Sequence, residues 1–280
     1  MGLGATLALF FLWARNKIPE SPRWLLQQGR VEEAEAIVEM VAGTATKPAD
    51  IEQAHRRSPA VDFTVQSAQF WRNVGDLAGR FRARCGLASA LNFSQASVVY
   101  GVLALMALVI LPYMKVPAAD LPLYYFWGNA AALAGGLTGA FAVEAMGRRR
   151  SLVASYSLTL LAIVPLYALK TLPGMVGSYC LIQFGVTWAY ITAYVVASEI
   201  LPTHVRATGL GVSVAIGRLG AMLAPLMLTW AFQATGTPAG ALIILMVLAA
   251  PGPIAALIWW RLGAETRNVS LEEGSQPVVA

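Results

Sequence analysis

Residues 206–225 read "RATGLGVSVAIGRLGAMLAP", and Arg218 is the one charge between Ala207 and Phe232. A guanidinium in an apolar helix costs at least ~2.5–3.5 kcal/mol to insert into a membrane, so it normally faces a cavity or a partner. Its planar fork holds a carboxylate through two parallel hydrogen bonds. A second group of residues brings acid and base together at the ends of apolar runs: Glu144 with Arg148 and Arg149, Glu199 with Arg206, and Glu20 with Arg23. Such pairs at a rim are individually worth about 0–1 kcal/mol, yet a network made in one conformation and broken in another biases a two-state equilibrium. The alternative is that these cations only anchor the chain by the positive-inside rule. A third group is polar and aromatic. Gln183, Thr187, Tyr190 and Tyr194 recur at helical spacing and share one face, a candidate cavity wall. Asn92, Gln95 and Tyr100 form a broader polar sector in an earlier run, and Trp127 and Asn129 offer stacking and hydrogen bonding in the run after it. Lipid satisfies no polar group, so each of these needs an aqueous cavity or another helix, and an interhelical hydrogen bond accounts for any one of them as well as solute contact does.

The elements that position these residues are membrane spans. The 280-residue chain is 57% hydrophobic and 12% charged, where a soluble domain is roughly a quarter charged. About twenty apolar residues cross a bilayer core, and runs near 86–113, 121–143, 151–169, 175–198, 207–232 and 238–260 qualify. Residues 2–14 are too short to span comfortably and read as the end of a further membrane helix, 1–14. Residues 15–84 hold eleven Lys or Arg, and the loops at 144–150 and 199–206 add more, whereas the alternate loops hold only Lys115 and Lys170. Positive charge collects on the cytoplasmic side. That places 15–84 and the tail 261–280 in the cytoplasm and 85–260 in the membrane as a six-helix bundle. The net charge of +5 lies between apolar runs rather than along one face, which points to lipid headgroups and not to nucleic acid.

Within 15–84, "GRVEEAEAIVEMVAG" sets Val31, Ala34, Val38 and Val41 on one face and Glu32, Glu35 and Glu39 toward water, the pattern of a short surface helix. A second helix is expected near Phe70–Arg82. The small residues Gly209, Ser213, Gly217 and Ala221, and likewise Gly128, Ala132, Gly136 and Ala140, repeat every four positions and form ridges for close helix packing. Runs 151–169 and 238–260 carry few strong polar groups and are expected to face lipid, with Trp259 and Trp260 in an interfacial belt. Cys85 and Cys180 are too far apart in sequence to suggest a disulfide framework or metal cluster, and His55 and His204 lie in loops. No spacing of nucleophile and base, phosphate loop or metal ligands suggests an enzyme or a cofactor.

Three motifs in order, "PESPRWLLQQGRVEEAEAIV", "EAMGRRR" and "SEILPTHVRATGLG", resemble those of major facilitator superfamily transporters of the sugar-porter-like and organic-ion-transporter-like branches. The resemblance covers essentially the whole chain. It implies an all-α membrane protein: the C-terminal six-helix bundle of that superfamily, preceded by the end of helix six and cytoplasmic helices, with the N-terminal six-helix half absent. It implies a multi-pass protein of the bacterial inner membrane and a cytoplasmic latch built from Glu20, Arg23, Glu144, Arg148, Arg149, Glu199 and Arg206. Sugar porters begin helix seven with paired glutamines, whereas "LASALNFSQASVVYG" has Gln95 alone. An arginine at the position of Arg218 resembles aromatic-acid, nicotinate and organic-anion transporters. The expected activity is secondary transport of a small organic carboxylate, aromatic ones included, by proton symport. A sugar or other metabolite transporter, or a membrane protein that transports nothing, is the alternative.

Overall fold

A computed structural model of the chain describes residues 11, 13, 19, 20, 22, 25, 30–42, 70–169 and 171–262. The chain divides into two compact units, residues 1–69 and 70–280.

In the first unit, α1 is Val31–Ala42. Glu32 and Glu33 occupy its first turn, where the helix dipole favours acid. Arg30 grips Glu33 through Nε–Oε1 at 2.8 Å and Nη2–Oε2 at 2.5 Å, and that guanidinium holds the Glu33 carboxyl below its ordinary range. Ala34 is buried as the periodicity predicts, but Val38 is 49% exposed. The apolar face of α1 is therefore narrower than expected.

The second unit is built of helices. α2 is Phe70–Ala78, and a turn at 79–81 leads into α3. α3 runs Arg82–Tyr113, four residues longer at its start than the apolar run suggested. It widens to a π-helical turn at Met106–Ile110, just before Pro112. Proline lacks the N–H of a regular turn, and its ring crowds the carbonyl four residues back. α4 is Leu121–Ala145, α5 Arg148–Ala168, α6 Leu172–Ile200 and α7 Thr203–Thr235. The last pass breaks at Ala250, before Pro251, into α8 (Pro238–Ala249) and α9 (Pro251–Leu262). Among the described residues, five stretches are long and apolar enough to cross a membrane: α3, α5, α6, Val205–Thr235 of α7, and Pro238–Arg261. α4, at 25 residues, is long enough at about 37 Å but is diluted by glycines and polar groups.

Helix association in lipid has no hydrophobic drive and depends on close backbones and hydrogen bonds. α3 packs most extensively on α7, and α4 and α5 on α6. In the α3–α7 seam a Cβ on Gly217 would stand 3.0 Å from the Asn92 carbonyl oxygen, and one on Gly220 only 2.3 Å from Ser97 Oγ. In the α4–α6 seam the buried glycines are Gly128, Gly135 and Gly139, and a Cβ on Gly135 would lie 2.1 Å from the Phe184 carbonyl oxygen. The expected ridge Gly128–Ala132–Gly136–Ala140 is thus corrected: Ala140 is exposed and Gly136 only half-buried. Polar groups close inside the bundle. Tyr156 Oη donates to the Leu91 carbonyl at 2.8 Å, Ser94 Oγ to that of Ala249 at 2.7 Å, and Trp188 Nε1 to Ser151 Oγ at 2.9 Å. α7 is the least covered span, with 22% of its most apolar window buried. Leu219, Met222, Leu226 and Trp230 are exposed along it.

Candidate functional site

α7 is one unbroken helix, so Arg218 stands twelve residues from Arg206, about 18 Å along the axis. Its side chain is exposed, and its Nη1 donates to Tyr100 Oη on α3 at 3.1 Å. Among the described residues it has no carboxylate partner within ion-pair distance. Tyr100 is the fork's one hydrogen-bond partner among the described residues. On α6 the Tyr194 ring sits 4.6 Å from that of Tyr190, tilted by 42°. Tyr100 and Tyr190 are exposed at 41% and 39%. Arg218 and Tyr100 thus offer a guanidinium and a phenol on an open face, groups able to hold a carboxylate, and α6 carries a pair of phenol rings of a kind able to stack on a flat ring.

The other polar residues of the spans are placed differently. Asn92 is buried in the α3–α7 seam, where Nδ2 donates to the Ala88 carbonyl at 3.0 Å and to Ser213 Oγ at 3.4 Å. Gln183 is buried as well, and Thr187 Oγ1 donates back to the Gln183 carbonyl at 2.8 Å. Gln95 is buried beside Ser94, Tyr156 and Thr159. Trp127 is exposed and meets the Phe126 ring edge-on at 5.5 Å. Asn129 Nδ2 donates to the Tyr125 carbonyl at 2.9 Å. The structure therefore joins Arg218 to Tyr100 and pairs Tyr190 with Tyr194. It withdraws Asn92 and Gln183 into packing.

A second cluster lies at the rim where α4 ends, α5 begins and α6 ends. Gly147, with φ 86°, makes the short turn between α4 and α5 in a region that favours glycine. The turn places Arg148 between two carboxylates. Its Nη2 lies 3.0 Å from Glu199 Oε1 and 3.1 Å from Glu144 Oε1, and its Nε bonds Glu199 at 3.1 Å. The Arg148 and Glu199 side chains are 11% and 14% exposed, whereas Glu144 is 68% exposed. Arg149 donates to the Trp260 carbonyl, and Arg206 Nε to that of Leu201 at 3.2 Å. Arg84, not singled out in the sequence, donates to the Ile200 carbonyl at 2.9 Å. Three arginines from three helices therefore secure the end of α6, where unpaired carbonyls and the negative dipole end favour cations. Glu20 is exposed, and Arg23 lies outside the described residues. No group of three metal-ligating side chains occurs among the described residues.

A family model described as "Sugar (and other) transporter" matches residues 1–276. The organic cation/carnitine transporter 2 of Rattus norvegicus is 31% identical over 242 residues, covering 74% of this chain and 36% of its own length. The niacin transporter NiaP of Acinetobacter baylyi is 25% identical over 273 residues, covering 96% of this chain and 59% of its own length. Among solved structures, the proton:xylose symporter XylE bound to 6-bromo-6-deoxy-D-glucose superposes with a TM-score of 0.70 at 19% identity. That match covers 95% of this chain and 56% of the other, and the likeness is one of fold, that of the major facilitator superfamily. The chain therefore spans between about a third and three fifths of the length of these proteins.

Proposed function

The chain belongs to the sugar (and other) transporter family and is a multi-pass integral membrane protein, and we propose that it is the solute-binding C-terminal half of a secondary transporter for small organic carboxylates, aromatic ones included. The observation that carries this reading is Arg218: an exposed guanidinium bonded to Tyr100, with no ion-pair partner among the described residues, and about 18 Å along α7 from Arg206, which is mid-membrane depth when Arg206 marks the surface. Buried or membrane-embedded cations are retained where they bind or pair. Transporter substrate sites lie at that depth between two helical repeats, so we assign a second six-helix half as the partner that closes the site. Niacin, the solute in the name of one relative, is an aromatic carboxylate and suits an arginine bonded to a tyrosine. Proton symport is part of the same proposal, supported by the XylE fold likeness.

The rim completes the mechanism as we read it. Arg148 joins Glu144 and Glu199 and so ties three helix ends in the conformation described. A latch of this kind holds one side closed while solute enters from the other.

The test is uptake by the full-length protein with Arg218→Lys and Arg218→Ala, comparing nicotinate with its uncharged amide. A bidentate bond to a charged group contributes about 1.5–3 kcal/mol, so loss of the fork should lower nicotinate kcat/KM by roughly 10- to 100-fold. Lysine cannot reproduce the planar geometry, and Arg218→Lys should fall with Arg218→Ala. Normal nicotinate uptake by both variants would remove the carboxylate reading.

A further inference from the structure

α2 and the elbow that joins it to α3 carry positive charge that the bundle does not neutralise. Arg72 on α2, Arg80 in the turn and Arg82 in the first turn of α3 are all exposed. Among the described residues none of the three forms an ion pair, and Asp76, one helical turn from both Arg72 and Arg80, pairs with neither. Arg80 lies over the ring of its neighbour Phe81 at 5.6 Å. α3 starts with no side-chain cap and no acid in its first turn. The positive end of its dipole therefore adds to these arginines where helices normally place acids. Arg84, Arg148, Arg149 and Arg206 behave differently, each donating to a carboxylate or a carbonyl within the bundle.

The position of the elbow determines what it meets. α3, from Arg82 to Tyr113, is long and apolar enough to cross a membrane, and the elbow at its charged start belongs at headgroup level. Leu77 is 2% exposed and belongs to the core cluster of Leu201 and Val205, which fixes α2 on the bundle. Arg72 is five residues earlier, about 140° around the helix from Leu77 at ~100° per residue, and Trp71 beside it is 80% exposed. Tryptophan is enriched at the membrane–water boundary, where an apolar ring with one polar edge fits. Guanidinium matches phosphate oxygens in a fork, and each basic side chain at an anionic surface strengthens association roughly fivefold.

We propose that the α2–α3 elbow is a binding surface for the phosphate headgroups of anionic phospholipid in the adjoining leaflet. Arg72, Arg80 and Arg82 hold the phosphate, and Trp71 seats in the headgroup layer. The surface fastens α2 to the bilayer at the entry to α3.

The experiment uses the full chain in nanodiscs containing spin-labelled phosphatidylglycerol or spin-labelled phosphatidylcholine. The wild-type protein should immobilise the anionic lipid at least about fivefold better. Arg72→Gln/Arg80→Gln/Arg82→Gln should bring the two lipids to near parity, the corresponding triple lysine variant should keep most of the preference, and Arg150→Gln/Arg261→Gln should leave it intact. A wild type without preference, a triple glutamine variant that retains it, or equal loss in the Arg150/Arg261 variant would overturn the proposal. Should the triple glutamine variant not fold, the decision moves to fluorescence that disappears in Trp71→Phe. Brominated phosphatidylglycerol should quench it more than brominated phosphatidylcholine at low salt, and equal quenching overturns the proposal.

Discussion

Tyr100 and Arg218 come from different helices, and the 3.1 Å bond between them fixes a guanidinium that would otherwise sweep through several rotamers. Tyr100→Phe keeps the ring and removes only the acceptor. Loss of one hydrogen bond of about 1 kcal/mol should raise the KM for a carboxylate several-fold and leave the melting temperature unchanged; a matching rise for an uncharged analogue would instead mark Tyr100 as part of the general cavity wall. The two glutamates on Arg148 differ by exposure. Glu144 is 68% exposed, and Glu144→Gln should alter stability by no more than about 1 kcal/mol. Glu199 is 14% exposed, so Glu199→Gln removes the better-shielded partner and should destabilise the folded protein by about 3 kcal/mol. Thermal unfolding of both variants in one detergent gives the ranking, and an equal effect would mean the rim is as well solvated at Glu199 as at Glu144.

Between helices the decisive positions are glycines. Gly135 touches the Phe184 backbone so closely that a Cβ has no room, and Gly220 meets Ser97 and Phe93 in the same way. Gly135→Val and Gly220→Val each force two helices apart and should lower stability by about 1–3 kcal/mol. Gly136 is one residue away, but a Cβ there would find Thr187 Cγ2 at an ordinary 3.5 Å. Gly136→Ala should therefore be neutral, or stabilising by up to about 1 kcal/mol through helix propensity. Paired unfolding curves for Gly135→Val and Gly136→Ala distinguish the observed seam from the four-residue ridge that spacing alone suggests. A four-residue repeat of small side chains marks a helix that can pack closely, and only the angle of the neighbour selects the residues that meet it.

At the scale of the whole molecule, the rim around Arg148 and the face around Arg218 lie at different depths of one bundle, linked by α6, which carries both Glu199 and Tyr194. If the rim is a latch, Glu199→Gln in the full-length protein should raise the labelling rate of a cysteine placed at Tyr194 by a reagent added from the rim side, and Glu144→Gln should raise it less. Unchanged labelling in both would leave helix anchoring as the sole role of the cluster. The organic cation/carnitine and niacin transporters among the relatives belong to a family whose named solutes differ.

The all-helical, apolar character of the chain, the approximate limits of its long helices and the acid–base clustering at their ends followed from the sequence alone, whereas five stretches among the described residues, not six, are apolar enough to cross a membrane. Apolar runs of bilayer length and the placement of charge between them are properties of the chain itself. Helix ends moved by a few residues because caps, prolines and neighbouring helices set them, as at Arg82 and Ala250. The partners were decided only in three dimensions. Asn92 and Tyr100 belong to one polar sector of one helix, yet Asn92 turns to Ser213 inside a seam and Tyr100 opens toward Arg218. Helical spacing determines which side chains share a face. Whether that face meets a neighbour or an open surface depends on where the other helices pack, and no local pattern carries that information.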